Sequence, residues 1–285
     1  MNIKEIRNRY QEKDGGMYGK RNIENSLAML YHENSKFTTY SARIEGQKIM
    51  GFNNEFVNKR AYQPYKCYPN TTRIDLNDYK NTPLKKDLIS VLNQRRSVRQ
   101  YNDTYKISLS EITTLLYNSY GVSNQQKLNN VGRDAHMGLR NVPSGGGLFP
   151  LEAYLVIQNA HIPSGLYHYR SDINQLECLK EGDFKQDLAN IIQAEPYVQI
   201  KDASMVVLLT GVVERSIIKY GERGYRFMLQ ESGEVAQTLS ILGEALDLGS
   251  CILGGYLDDK VNSFIGIDGV FESINNVIVF GGKTK

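Results

Sequence analysis

The chain has 285 residues, 41% of them hydrophobic and 23% charged, the make-up of a chain that can fold around its own core without disulfide or metal staples. Its net charge of +3 is too small to argue for a nucleic-acid or membrane partner, and neither is expected. Cys67, Cys178 and Cys251 are odd in number and far apart, with no C-x-x-C and no His/Cys cluster at zinc spacing. That predicts no metal site and a reducing, cytoplasmic setting.

The opening Met1-Asn-Ile-Lys-Glu-Ile-Arg is charged and does not read as a signal peptide. The longest nearly apolar run, Ala203 to Val213, is about half of the ~20 residues a membrane span needs. Residues 1–80 are polar and rich in Tyr, Asn and Lys, and read as short helices and loops. Residues 81–285 are better patterned and are expected to form the main domain. Pro83 suits a first helical turn, with Leu84, Leu88, Val91 and Leu92 following at helical spacing. Ser108-Leu-Ser-Glu111 is a capping box; it opens a helix carrying Ile112, Leu115 and Leu116 that ends at Gly121. Leu151 to Gln158 reads as a strand, and Leu166 to Tyr169 with Gln175 to Leu179 as a hairpin pair. Ser204 to Val213 reads as a fully buried strand, and Val277 to Phe280 as the last one. The clearest helix runs from about Tyr225 to Leu248. Met228, Ser232, Val235, Leu239, Leu242 and Leu246 make one face, about 27 Å long at 1.5 Å per residue, and Gly249 is expected to close it. Strands interrupted by helices predict an α+β layer.

Four groups of residues could carry chemistry. Arg95-Arg96-Ser97-Val98-Arg99 offers guanidiniums and a hydroxyl that suit a dianionic phosphate, or else a solvated basic turn at a helix end. Pro143-Ser-Gly-Gly-Gly147 lets backbone approach a flat ligand, or is a plain glycine turn. It is neither a G-x-G-x-x-G helix start nor a P-loop. Lys219-Tyr220 could transfer protons, although such a pair usually lies on the surface. Gly254-Gly255 follows Cys251 in what reads as a loop. The histidines His32, His136, His161 and His168 form no spaced pair and read as structural or surface residues. No G-x-S-x-G elbow is present, which leaves hydrolysis weakly supported.

In order, RRSVRQY, PSGGGLFPLEAYLV, GLYHY, KYGERGYRFMLQESGEVAQTL and LGSCILGGY resemble the FMN-dependent nitroreductase superfamily. More narrowly they are similar to its SagB-type dehydrogenase branch, which contains azoline oxidases. The resemblance covers roughly residues 84–282, and Tyr31-His-Glu-Asn-Ser-Lys36 is similar to a phrase seen upstream in that branch. It implies an α+β fold with a mixed sheet flanked by helices, in an intertwined homodimer with the long helix at its centre and FMN at the subunit interface. It further implies that Arg95, Arg96, Ser97 and Arg99 hold the FMN phosphate and ribityl chain. Pro143, Ser144, Gly145 and Gly146 would pack along the isoalloxazine, and Gly254 and Gly255 would add backbone contacts. Lys219 and Tyr220 match the proton-transfer pair of azoline oxidases. The chain departs from the family pattern at its C-terminus, where only Lys283 or Lys285 could replace a basic pair, and at Ser232-Gly233-Glu234, where many relatives have Gly-His after the helix acid.

The function this implies is dehydrogenation of thiazoline or oxazoline residues in a ribosomal precursor peptide, in the cytoplasm, beside a cyclodehydratase. Three alternatives stay open. One is NAD(P)H-dependent reduction of dehydroalanine or dehydrobutyrine in lanthipeptides to D-amino acids. The others are a generic nitro or quinone reductase and a silent scaffold subunit. Residues 1–80 could serve as a peptide clamp or as a dimer arm.

Overall fold

The computed structural model describes residues 26–52, 54–62, 65–80, 82–84, 86–127 and 136–284; the opening stretch read above for a signal lies outside them. The chain divides into two compact units with the boundary between Gln47 and Lys48. Short helices occupy the polar N-terminal stretch, as its weak periodicity predicts: α1 (Leu27–Asn34), α2 (Thr39–Gly51) and α3 (Glu55–Ala61). The Asn54 side chain caps α3 by accepting from the Phe56 and Val57 amides.

The second unit is built on an eight-stranded sheet. Its strands are β1 (Arg73–Asp75), β2 (Tyr101–Asn102), β5 (Leu151–Ile157), β6 (Gly165–Arg170), β7 (Gln175–Glu181), β8 (Met205–Val212), β9 (Leu248–Leu253) and β10 (Glu272–Lys283). The order is β1-β7-β6-β5-β8-β10-β2, with β9 also on β10. The ladders are antiparallel. Among the described residues, parallel pairing is confined to the bridges Ser97–Ser250 and Ile107–Ala160. A separate hairpin joins β3 (Val122–Lys127) to β4 (His136–Arg140).

Period-two alternation splits the apolar residues between the two faces of the sheet. Leu151, Ala153, Leu155, Val207, Leu209 and Ile278 enter one core with the helices α5 (Leu109–Tyr120) and α8 (Glu222–Ala245). Tyr154, Val156, Val206, Leu208, Val277 and Val279 enter the other with α6 (Lys185–Ile191) and α9 (Asp258–Ile265). A strand wholly buried on both faces reads as a continuous apolar run, and β8 is one. The capping box of α5 is present in full, with Gly121 as its C-cap.

Some expectations are corrected. The helix α4 spans Leu88–Gln94 rather than starting at Pro83, because Asp87 supplies the cap by accepting from the Ser90 amide. The long helix starts at Glu222 and ends at Ala245. Asp247, at φ 61°, makes the turn that Gly249 was expected to make. Gly249 lies in β9 instead, where a side chain would collide with Val98. The last strand is longer than 277–280, since β10 begins at Glu272.

Candidate active site

Residues 143–150 connect β4 to β5 and form the centre of the site. The Ser144 carbonyl accepts from the Gly147 amide, and its hydroxyl accepts from the Phe149 amide at 2.9 Å, closing a tight turn. Gly146 holds φ +66°, where a side chain is strained. A methyl group there would stand 2.9 Å from Lys219 Nζ and closer still to the Tyr220 hydroxyl. The loop backbone is thus pressed directly against the lysine–tyrosine pair, which lies more than seventy residues later in the chain.

Lys219 and Tyr220 end α7 (Val213–Tyr220), which follows β8 without a loop. Lys219 is only 8% exposed. Its Nζ faces the rings of Phe52, Tyr62 and Tyr220, at 4.9, 5.5 and 5.6 Å from their centroids, the geometry in which a charge arising on that nitrogen is attracted to them. It also donates a hydrogen bond to the Tyr62 hydroxyl at 3.1 Å. One helical turn before Lys219, Arg215 ties α7 to β5 through an ion pair with Glu152 at 2.6 Å. Burial pushes the Glu152 carboxyl up, but Arg215 and His168 outweigh it and hold it down at about 2. His168 is clasped by Glu152 at 2.9 Å and Glu177 at 3.1 Å. Burial alone would lower its pKa, yet the two carboxylates raise it.

Behind the glycine loop lies a residue the sequence reading did not single out. Glu231 of α8 is buried and accepts from the Tyr120 hydroxyl at 2.9 Å. Burial pushes its carboxyl up to about 7, against the pull of the Ser144 and Tyr120 hydroxyls and the Arg140 charge. Tyr120 in turn accepts from the Leu151 amide at 3.1 Å, and Arg140 lies 3.9 Å over the Tyr120 ring. A groove of about 280 Å³ opens beside this cluster, lined by Pro143, Ser144, Gly145, Phe227, Glu231 and Glu234 among others. Tyr62 and Phe52 also went unnoticed. They sit in a tyrosine-rich stretch with no periodicity, and no spacing rule sets them apart.

The arginine segment follows α4 and is pinned by backbone. The Val98 amide donates to the Ser250 carbonyl of β9 at 2.9 Å, and the Arg99 carbonyl accepts from Gln199. Arg96 donates to the carbonyls of Asn93 and Arg95, and Arg99 to that of Ser97. Among the described residues, Arg95, Arg96 and Arg99 form no ion pair with a carboxylate. Lys283 lies in register with Tyr101 of β2, but both oxygens of Glu244 hold its ammonium at 2.9 Å. Lys86 shares that carboxylate and also pairs with Asp247. Gly254 and Gly255 follow β9 in an exposed loop, where the Gly255 carbonyl accepts from Gln193. The structure therefore joins the glycine loop to Lys219 and Tyr220, and the arginine segment to β9. No metal-binding group of three or more His, Cys, Asp or Glu is present among the described residues.

The donor set suits a phosphate-bearing cofactor. Among the described residues the guanidiniums of Arg95, Arg96 and Arg99 have no carboxylate partner, and with the Ser97 hydroxyl they match a phosphate dianion; at the glycine turn the space over Gly145, Gly146 and Gly147 is taken by Phe227, by Tyr220 with Lys219, and by Met137. The fold and these sites define a flavin-type oxidoreductase class. Residues 92–282 match the nitroreductase family, and the chain belongs to it.

Among relatives, it is 27% identical to the nitroreductase-family protein MJ1384 of Methanocaldococcus jannaschii, over 69% of this chain and 91% of that one. It is 24% identical to the microcin B17-processing protein McbC of Escherichia coli, over 58% of this chain and 59% of McbC. It is 26% identical to the trifolitoxin-processing protein TfxB of Rhizobium leguminosarum bv. trifolii, over 61% of this chain and 47% of TfxB. The chain thus spans about half the length of these two processing proteins. Its fold resembles a nitroreductase-family structure from Anabaena variabilis, with a TM-score of 0.63 at 22% identity, covering 76% of this chain and 42% of that one. It also resembles a chain of the E. coli microcin synthetase McbBCD complex with truncated pro-MccB17 bound, with a TM-score of 0.55 at 19% identity, covering 92% of this chain and all of that one.

Proposed function

We propose that this chain is an FMN-dependent oxidoreductase that converts thiazoline or oxazoline rings of a ribosomally made peptide into azoles. The observation that carries the reading is the junction at Gly146, where the glycine loop meets Lys219 Nζ and the Tyr220 hydroxyl. The matched peptide-processing relatives and the motif order over residues 84–282 support it.

Aromatising an azoline removes a proton and a hydride from adjacent ring atoms. When bound, FMN supplies the acceptor for the hydride. The chain's own residues handle the proton. Lys219, as the amine, takes it at Nζ, and the rings of Phe52, Tyr62 and Tyr220 face the charge that arises there. The same rings keep water from the nitrogen, and Gly146 brings the loop backbone within contact of it. Arg95, Arg96, Ser97 and Arg99 would hold the phosphate end of the cofactor, and Pro143, Ser144, Gly145, Gly146, Gly254 and Gly255 would contact its ring system. Lys283 is spent on Glu244.

The substrate must already contain azolines, so a cyclodehydratase acts first. The chain works as a homodimer: α4 exposes Leu88, Ile89 and Leu92, and α8 exposes Tyr225 and Leu229, apolar side chains a second copy would cover. The segment before residue 81 serves as peptide clamp or dimer arm. The reaction takes place in the cytoplasm, and no described helix is long and apolar enough to cross a membrane.

The test is incubation of the FMN-loaded protein with a thiazoline-containing peptide. Loss of two hydrogens by mass is expected for the wild type, and none for Lys219→Ala with unchanged FMN content. A Lys219→Ala protein oxidising the peptide at full rate would refute the assignment. One feature favours the reverse direction, since the aromatic surround of Lys219 also suits an ammonium acting as proton donor. NAD(P)H consumption that depends on a dehydroalanine peptide would select that direction.

A further inference from the structure

We propose that Tyr62 is the positioning residue for Lys219, so that the segment ending α3 forms a wall of the reacting pocket. The assignment rests on the proton-transfer role given to Lys219 above. A lysine carries its nitrogen on four rotatable bonds and loses roughly 2 kcal/mol of rotamer entropy when fixed, so a base needs something to hold the nitrogen in place. The Tyr62 hydroxyl oxygen does this by accepting from Nζ at 3.1 Å. The Tyr62 ring also lies against the glycine loop, where a methyl group on Gly147 would stand 3.9 Å from Tyr62 Cε1. The residue therefore touches both halves of the junction, the loop and the lysine.

The chemistry suits a phenol. A hydroxyl oxygen accepts an N–H from an amine as well as from an ammonium, so the tie survives both protonation states of Lys219. While it occupies one N–H, the lone pair of the amine stays free for the substrate proton. When that proton arrives, the bond becomes charge-assisted and stronger, which favours the state the reaction is moving toward. Phe52 and the ring of Tyr62 supply only a π-face and cannot fix a direction. Tyr62 is thus distinct from Tyr220, whose place beside Lys219 follows from sequence adjacency.

The test uses the FMN-loaded protein and two readouts. In the first, acetic anhydride labels lysines, and mass spectrometry follows Lys219 against the exposed Lys201. In the second, kcat and KM are measured on a thiazoline peptide. Tyr62→Phe keeps the ring and removes the acceptor. It is expected to speed Lys219 labelling severalfold and to lower kcat about 10-fold, the size of one hydrogen bond to a charged group, with KM unchanged. Tyr62→Leu, which removes the ring together with the acceptor, is expected to speed labelling at least as much and to lower kcat at least as far, and it keeps the test informative if Tyr62→Phe folds poorly. Labelling of Lys219 that is identical in wild type and Tyr62→Phe overturns the assignment, whether or not activity falls. Faster labelling with unchanged kcat overturns the catalytic importance of the contact. Faster labelling in an enzyme whose wild type oxidises no azoline leaves the Tyr62 contact standing and overturns the reading of the reaction.

Discussion

Glu231 offers a quantitative test of the polar cluster behind the glycine loop. Its side chain is 2% exposed, and burial pushes its carboxyl from 4.5 up to about 7. Between those two values the folded chain holds a proton that the unfolded chain has released. Folding stability therefore falls as pH rises through that window and levels off above it. At 1.36 kcal/mol per unit the loss amounts to about 3 kcal/mol. Glu231→Gln does not titrate, and its amide oxygen can still accept from Tyr120. The stability of the variant minus that of the wild type should therefore rise by about 3 kcal/mol between pH 4.5 and 7.5, since the other titrating groups cancel in the difference. Urea unfolding followed by circular dichroism over this range measures it. A difference that stays flat to within ~1 kcal/mol would show that Glu231 ionises normally, and would refute the upward push of burial on its carboxyl.

Gly146→Ala forces a side chain into the left-handed region at a cost of roughly 1–2 kcal/mol and pushes Lys219 Nζ aside. We expect a lower urea midpoint together with a loss of azoline oxidation on the order of 100-fold, the effect of misplacing a reacting group by about 1 Å. Arg99→Ala removes a guanidinium that has no carboxylate partner, so FMN affinity by fluorescence titration should fall on the order of 10-fold or more. Lys283→Ala, whose charge is already neutralised by Glu244, should change that affinity far less.

The fold was legible wherever burial imposes a period. The strands β5 and β8 alternate their side chains between two cores or are buried throughout, and α8 places Met228, Ser232, Val235, Leu239 and Leu242 inside at helical spacing. Elements without such a signature were missed. The hairpin strand β3, Val-Ser-Asn-Gln-Gln-Lys, is exposed along most of its length and has no apolar face to read. The strand β9, Leu-Gly-Ser-Cys-Ile-Leu, resembles a loop because it opens with small residues, and its Gly249 leaves room for Val98 rather than filling space. His168 was read among structural or surface histidines, and it is structural, held between Glu152 and Glu177. At the site, Lys219 and Tyr220 became visible only through the motif order, because a lysine beside a tyrosine is otherwise unremarkable. Tyr62 and Glu231 were hidden for different reasons. Tyr62 acts through a contact between distant segments, and Glu231 acts through burial, and neither property has a local spacing.

The placement of Lys219 depends on how few degrees of freedom separate it from the glycine loop. Strand β5 begins directly after Pro150, and its second residue, Glu152, grips Arg215 of α7. The Phe149 carbonyl also faces Arg215, at 3.5 Å. Lys219 follows Arg215 by one helical turn and so shares its face. The loop and the lysine are therefore referenced to the same strand end, one by chain continuity and the other by an ion pair buried beside His168. A buried charge pair of this kind contributes little net stability against an apolar replacement, but breaking it leaves an uncompensated charge that costs about 3–5 kcal/mol. That penalty restrains α7 from sliding along the sheet. Tyr62 then has only the last flexible part of the lysine side chain left to fix.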